Sequence, residues 1–237
     1  ATLHAFDAET MSLRWSFRAA EHVGSSPLPE GEDRYAIYNL PGIYSLLVMD
    51  NGDVVAVAVH GWNDDDGERL NLSQVFRLSP DGTVRGQWPA QAESILLMHS
   101  VLKTRQDGTP VLLTCLGRSA AGPAPADLPT SGVGLVNLDT MVLESHAPVT
   151  PLAPWFKKVS MWHAIDWDPD RGLMMGLGDG RIIRTPTDSA HTAGTTIQTG
   201  TPIMAGEVPI SASIGFGQFA QGGMLYTTSD TNIPWGA

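Results

Sequence analysis

Positive charge is scarce in this chain. Lysine occurs only as Lys103, Lys157 and Lys158, and 14 Lys and Arg face 25 Asp and Glu, for a formal net charge of −11. A surface with that balance repels phosphate backbones and anionic headgroups, which argues against nucleic acid as a partner. Cysteine is almost missing as well. Cys115 stands alone inside an apolar run, so no disulfide forms within the chain, and the thiol reads as a small buried hydrophobe rather than a nucleophile. No apolar run approaches the ~20 residues of a membrane-crossing helix, so no membrane span is expected. The opening residues show no basic stretch followed by an apolar one, and no signal peptide is expected within them. Helical periodicity is nearly absent. So are a phosphate-binding P-loop, a dinucleotide glycine fingerprint and a G-x-S-x-G elbow, which removes the commonest local signatures of nucleotide and serine-hydrolase chemistry.

What the chain does contain is turn formers: 25 Gly and 17 Pro, with only 16% charged residues. Short β-prone runs flank Asn51-Gly52, Asp81-Gly82, Asp107-Gly108, Asp179-Gly180 and Gly222-Gly223. Such pairs predict tight hairpins with type I′ or II′ turns, which need positive φ. The runs fall into hairpins at 44–61, 74–88, 95–117, 134–146, 161–184 and 210–230, with a further strand at 195–200. Taken in pairs they make units of roughly 55–65 residues, the period expected of four-stranded propeller blades with long loops. The last unit lacks an outer hairpin, which residues 3–17 would supply. The prediction is therefore an all-β, single-domain chain over residues 1–237: a β-propeller of four four-stranded blades, the last closed by pairing of residues 3–17 with residues 210–230. Five blades is the other count, if residues 19–43 hold an extra hairpin.

The segment Ala5-Phe6-Asp7-Ala8-Glu9-Thr10-Met11-Ser12-Leu13-Arg14-Trp15 resembles the tryptophan-docking repeat of pyrroloquinoline-quinone-like β-propellers. Such repeats occur in quinoprotein dehydrogenases, outer-membrane assembly lipoproteins and pilus-tip adhesins. Met11 stands where that pattern has glycine. The resemblance covers one repeat, with echoes at Asp81-Gly82-Thr83/Trp88 and at Asp139-Thr140-Met141/His146. It implies the propeller fold, with Asp7 and Thr10 shaping a turn and Trp15 buried between its own blade and the next, over that turn. It does not imply quinone chemistry, because the adjacent-cysteine motif of the dehydrogenases is missing.

Aligning the first hairpin of each unit on its turn puts His99 and His163 at one position, with Tyr44 and Ser213 beside them. On strands lining a central channel these groups would converge near one mouth, where two imidazoles and a phenol can hold a divalent metal ion or act as acid and base. Repeated polar residues in a narrow channel also serve simply to satisfy backbone groups and water. Asp166-x-Asp168-x-Asp170 alternates carboxylates, but Arg171 stands where a calcium loop needs glycine, so ordinary turn chemistry is the better reading. Asp64, Asp66 and Glu68 lie in a denser acidic stretch that reads as a solvated loop or a structural divalent-cation site. Trp62 and Trp162 sit near loops and are candidates for a ligand-binding face.

Without a complete catalytic set, the expected function is a binding or assembly module that contacts a partner protein or glycan through loops on one face. The competing expectation is an enzyme working at the channel mouth with His99 and His163, assisted by Tyr44. A third is a structural part of an extracytoplasmic or virion-associated assembly. The sequence leaves the oligomeric state and any cofactor beyond a divalent ion undetermined.

Overall fold

Val55–Val59 alternates valine with alanine, so a strand there is apolar on both faces and has to be covered on both. The computed structural model describes residues 1–23, 41–63, 69–118, 126–129 and 132–148, and strand segments at 164–168, 172–176, 182–185, 198–199, 204–205, 208–209, 213–220 and 224–230. It places this run inside a four-stranded antiparallel sheet whose strands follow chain order: β3 (Gly42–Val48), β4 (Val54–Asn63), β5 (Arg69–Leu78) and β6 (Val84–Glu93). Ahead of it lie the hairpin β1 (Thr2–Phe6) and β2 (Leu13–Arg18) and the single helical turn α1 (Ala20–Val23). A second such sheet follows, from β7 (Ile95–Thr104), β8 (Pro110–Arg118), β9 (Gly132–Asn137) and β10 (Val142–Pro148). A third holds β11 (Ala164–Asp168), β12 (Gly172–Gly176), β13 (Ile182–Thr185) and β14 (Gln198–Thr199). Two hairpins end the described chain: β15 (Met204–Ala205) with β16 (Val208–Pro209), and β17 (Ser213–Ala220) with β18 (Met224–Asp230). The all-β class is as predicted, and every hairpin position read from the turns corresponds to a pair of antiparallel strands.

The sheets stack face to face. Val55, Val57, Val59 and Val75 of the first sheet meet Ile95, Leu97, Leu112, Leu116, Val136 and Leu138 in one core. The other face of the first sheet, with Ala58, Phe76 and Leu78, is covered by Phe17 of β2 together with Ala19 and Val23. β8 repeats the two-faced pattern. Leu112 and Leu116 point to the first sheet, while Val111, Leu113 and Cys115 are buried on the opposite side, with β11 packed against the strand. Each such branched side chain, fully buried, contributes ~1.5–3 kcal/mol. Burial also pushes the Cys115 thiol up to about 12, consistent with a packing role.

The tight turns differ from the expected type. Met49–Asp53, Ser79–Thr83 and Arg105–Thr109 each close with the first N–H bonded to the fifth carbonyl, at 2.8, 2.8 and 2.9 Å. Only the glycine of each has positive φ: +84° at Gly52, +88° at Gly82 and +86° at Gly108. Type I′ needs two such residues and type II′ needs the glycine first, so these are three-residue loops ending in a left-handed glycine. The preceding Asn or Asp selects this form, because its side-chain oxygen accepts the N–H two residues on, as in Asp53 N to Asn51 Oδ1 at 3.0 Å. Asp7 and Thr10 shape the β1–β2 turn as expected: Asp7 Oδ1 accepts from Glu9 N, Thr10 N and Thr10 Oγ1 at 2.9–3.1 Å. Met11 takes φ 56° there, and Met141 takes φ 52° in the β9–β10 turn, where Asn137 Oδ1 accepts from Asp139 N and Thr140 N.

One further expectation is not shown, and another needs correction. Among the described residues β1 pairs with β2 and β17 with β18, as two separate two-stranded sheets, so pairing of residues 3–17 with residues 210–230 is not seen. Trp15 does not lie over its own turn. Its indole sits on Gly82 of the next sheet, half-buried, with Nε1 donating to Pro80 O at 2.8 Å. The carbonyl of the neighbouring turn offers the indole N–H an acceptor, and the bare glycine beside it leaves room for the ring.

That contact can be weighed. Alanine at residue 82 or 108 meets the same backbone penalty of about 1 kcal/mol. A Cβ at residue 108 would have nothing within 4 Å, whereas one at residue 82 would lie 2.6 Å from Trp15 Cδ2. In urea unfolding, Gly108→Ala is expected to cost about 1 kcal/mol and Gly82→Ala about 1–3 kcal/mol more. The excess should vanish in a Trp15→Ala background.

Candidate functional site

The two ends of the stacked sheets are chemically unlike. One end carries the tight turns at 49–53, 79–83, 105–109 and 138–141. At the other, β4 and β8 finish, β5 and β9 begin, and the longer connections start and return. Ser94 alone joins β6 to β7, so the first two sheets share this polarity. Tyr44 lies near the beginning of β3, towards the long-connection end, and residue 99 lies midway along β7.

The backbone there is irregular in a recurrent way. β3 bulges between Ile43 and Ser45, which makes Tyr44 the extra residue. β7 shifts register between Leu97 and Ser100, across residues 98 and 99. β17 shifts between Ile214 and Phe216. Bulges re-aim side chains and are frequent beside functional sites. The first strands also touch one another in chain order: β3 with β7, β7 with β11, and β11 with β17. Tyr44 and residue 99 thus fall on contacting strands, and Tyr44 is 51% exposed. The ground beneath is polar and bonded. Leu97 N donates to Ser73 Oγ at 3.1 Å, and Ser100 Oγ donates to Thr114 Oγ1 at 2.9 Å.

The other candidates divide by position. His163, Trp162, Asp64, Asp66 and Glu68 lie outside the described residues, as do Asp170 and Arg171. Trp62 falls at the end of β4, paired with Leu70, and Ser213 opens β17, paired with Asp230. Asp166 and Asp168 lie on β11, paired with Met174 and Gly172, which makes 169–171 the link of a hairpin. Among the described residues no three His, Cys, Asp or Glu side chains gather as a metal site.

The strongest electrostatic feature is at the tight-turn end and was not anticipated from sequence. Asp53 is buried, with its side chain 1% exposed. Arg77 Nε donates to Asp53 Oδ2 at 2.7 Å, while its Nη1 donates to Leu138 O at 2.9 Å and Asp139 Oδ1 at 2.8 Å in the second sheet. Arg85 Nη1 stands 3.5 Å from the same Asp53 oxygen, and Asp53 Oδ1 has no hydrogen-bond partner. Burial pulls the Arg77 guanidinium down, but its bonds to Asp139 and Asp53 more than offset this and hold it above its ordinary value. The arrangement binds one sheet to the next and leaves no reacting group free. The one sequence signal for it is the acid directly after Asn51-Gly52. Two other buried polar groups, His60 and Gln74, share the face of the first sheet that β1–β2 covers, and Gln74 Nε2 donates to Pro89 O at 3.0 Å.

No family model matches the chain, and no curated protein matches it.

Removing Arg77 leaves the buried Asp53 with only Asn51 and the more distant Arg85. Arg77→Ala is expected to cost about 2–4 kcal/mol in urea unfolding, with part regained in the Arg77→Ala/Asp53→Asn double variant. Arg105→Ala breaks a half-exposed pair with Glu144 and should cost under about 1 kcal/mol.

Proposed function

We propose that the chain is a non-catalytic binding or assembly module, a β-propeller whose loops on one face contact a partner protein or a glycan. Four blades are the preferred count and five the other, with the last blade closed by the N- and C-terminal strands. What carries this reading is the division of the two ends: bonded, closed turns at one, and the longer connections gathered at the other. The contacts from β3 through β7 and β11 to β17 support a curved stack of blades around their first strands. A rigid stack that presents several connections side by side suits recognition, since little ordering is needed on binding. The net charge of −11 favours neutral or basic partners over polyanions. The tryptophan-docking resemblance at residues 5–15 points the same way, towards fold and not towards quinone chemistry.

A second reading, an enzyme or metal site at the channel mouth with His99, His163 and Tyr44, draws support from the bulges at Tyr44 and across residues 98 and 99. Two measurements separate the two. A glycan array read with the full chain is expected to show selective binding that weakens at least about tenfold in Trp62→Ala. A stoichiometric transition metal in the purified protein, lost in His99→Ala, would replace the binding reading with the enzymatic one.

A further inference from the structure

One face of the first sheet is covered only in part. Leu46 pairs with Ala56 and Val48 with Val54, so both side chains share the face on which Ala58 and Phe76 meet Phe17. The β1–β2 hairpin covers that face over β4 and β5, where Ala56, Ala58 and Phe76 are 0% exposed. Over the second half of β3 it does not reach: Ile43 packs against the cluster around Phe17, but Leu46 is 50% exposed and Val48 67%. On its other face β3 is packed, because Leu47 and Met49 join the core shared with the second sheet. Beside this apolar strip, β1 pairs with β2 alone among the described residues, which leaves one edge of β1 without a strand partner there. Apolar floor and free edge together have the form of a groove that accepts one more pair of strands.

We infer that this groove, floored by Leu46 and Val48 and walled by the edge of β1, is a strand-docking site whose occupant is the chain's own β17–β18 hairpin, with β18 running along β1. The inference rests on the propeller reading and names the surface on which its last blade assembles. Three observations select this occupant. The β17–β18 hairpin is itself a two-stranded sheet, so joined to β1–β2 it gives the four strands that each of the three complete sheets has. It follows the third sheet in space as well as in sequence, with β17 against β11 and β12. Its first strand carries a one-residue bulge near its start, as do β3 and β7, the first strands of the first two sheets.

Thiol labelling of the full chain tests this, because native Cys115 is buried with its thiol raised to about 12 and stays silent. Leu46→Cys and Val48→Cys are compared with Val142→Cys, at a side chain 51% exposed on β10. Docking predicts labelling at residues 46 and 48 at least about tenfold slower than at residue 142, independent of protein concentration. Thr227→Pro in β18 should restore fast labelling, and the amides of residues 2–6 should exchange slowly in the unaltered chain. Equal labelling at all three cysteines overturns the groove. Slow labelling that speeds up on dilution assigns it to a second copy, and slow labelling unaffected by Thr227→Pro, with fast exchange along β1, assigns it to another segment; either overturns β17–β18 as occupant. Glycan binding at the long-connection end is read separately, so the two proposals fail independently.

Discussion

A strand with no polar face has to be covered twice, and β4 and β8 are both such strands. This requirement organises the rest of the molecule. Val55, Val57 and Val59 demand a neighbour on one side, which the second sheet supplies; Ala56 and Ala58 demand one on the other, which the N-terminal hairpin supplies over part of the width. The second sheet inherits the same need through Val111, Leu113 and Cys115 and passes it to β11. Stacking of this kind has no natural end within a row, since the outermost sheet always presents an apolar face. The stack either closes on itself or stops at a face left uncovered.

The polar contacts refine what burial dictates. Arg77 extends from β5 past its own Asp53 to the β9–β10 turn of the next sheet, which fixes how far one sheet can slide over the other. Trp15 does the same one step earlier in the chain, with a hydrogen bond to Pro80 O. Met141, whose Cγ would lie 2.5 Å from a Cβ on Gly86, fits its side chain against a strand that has made room by having none. All three contacts belong to the tight-turn end.

Much of this architecture is legible in the residues. Asn51-Gly52, Asp81-Gly82 and Asp107-Gly108 locate three hairpins because a left-handed residue after an Asn or Asp has few other uses. The turn type was not legible from the dipeptide, since the same two residues serve a two-residue or a three-residue loop and the flanking register decides. The destination of Trp15 was hidden for a different reason: an indole is recognised as packing material from sequence, but which surface it covers depends on how sheets stack. Of the pairing of Asp53 with Arg77, 24 residues apart, the acid after Asn51-Gly52 marks one partner and nothing local marks the other. Of the candidate site, Tyr44 and residue 99 lie on the contacting first strands β3 and β7. The bulges that set their aim leave no mark in composition. His163, Trp162 and the acidic stretch at Asp64, Asp66 and Glu68 fall outside the described residues.

The one-residue link at Ser94 and the strictly sequential strand order have a kinetic consequence. Every pairing within the first two sheets joins strands that are neighbours along the chain, so each hairpin closes a short loop and loses little entropy in doing so. Contacts of low sequence separation form fast, and a sheet built this way can assemble while later parts of the chain are still being synthesised. The N-terminal hairpin is the exception. Though it precedes them in the chain, it has no apolar surface to rest on until β4 and β5 exist, so β1 and β2 become fixed after strands that follow them.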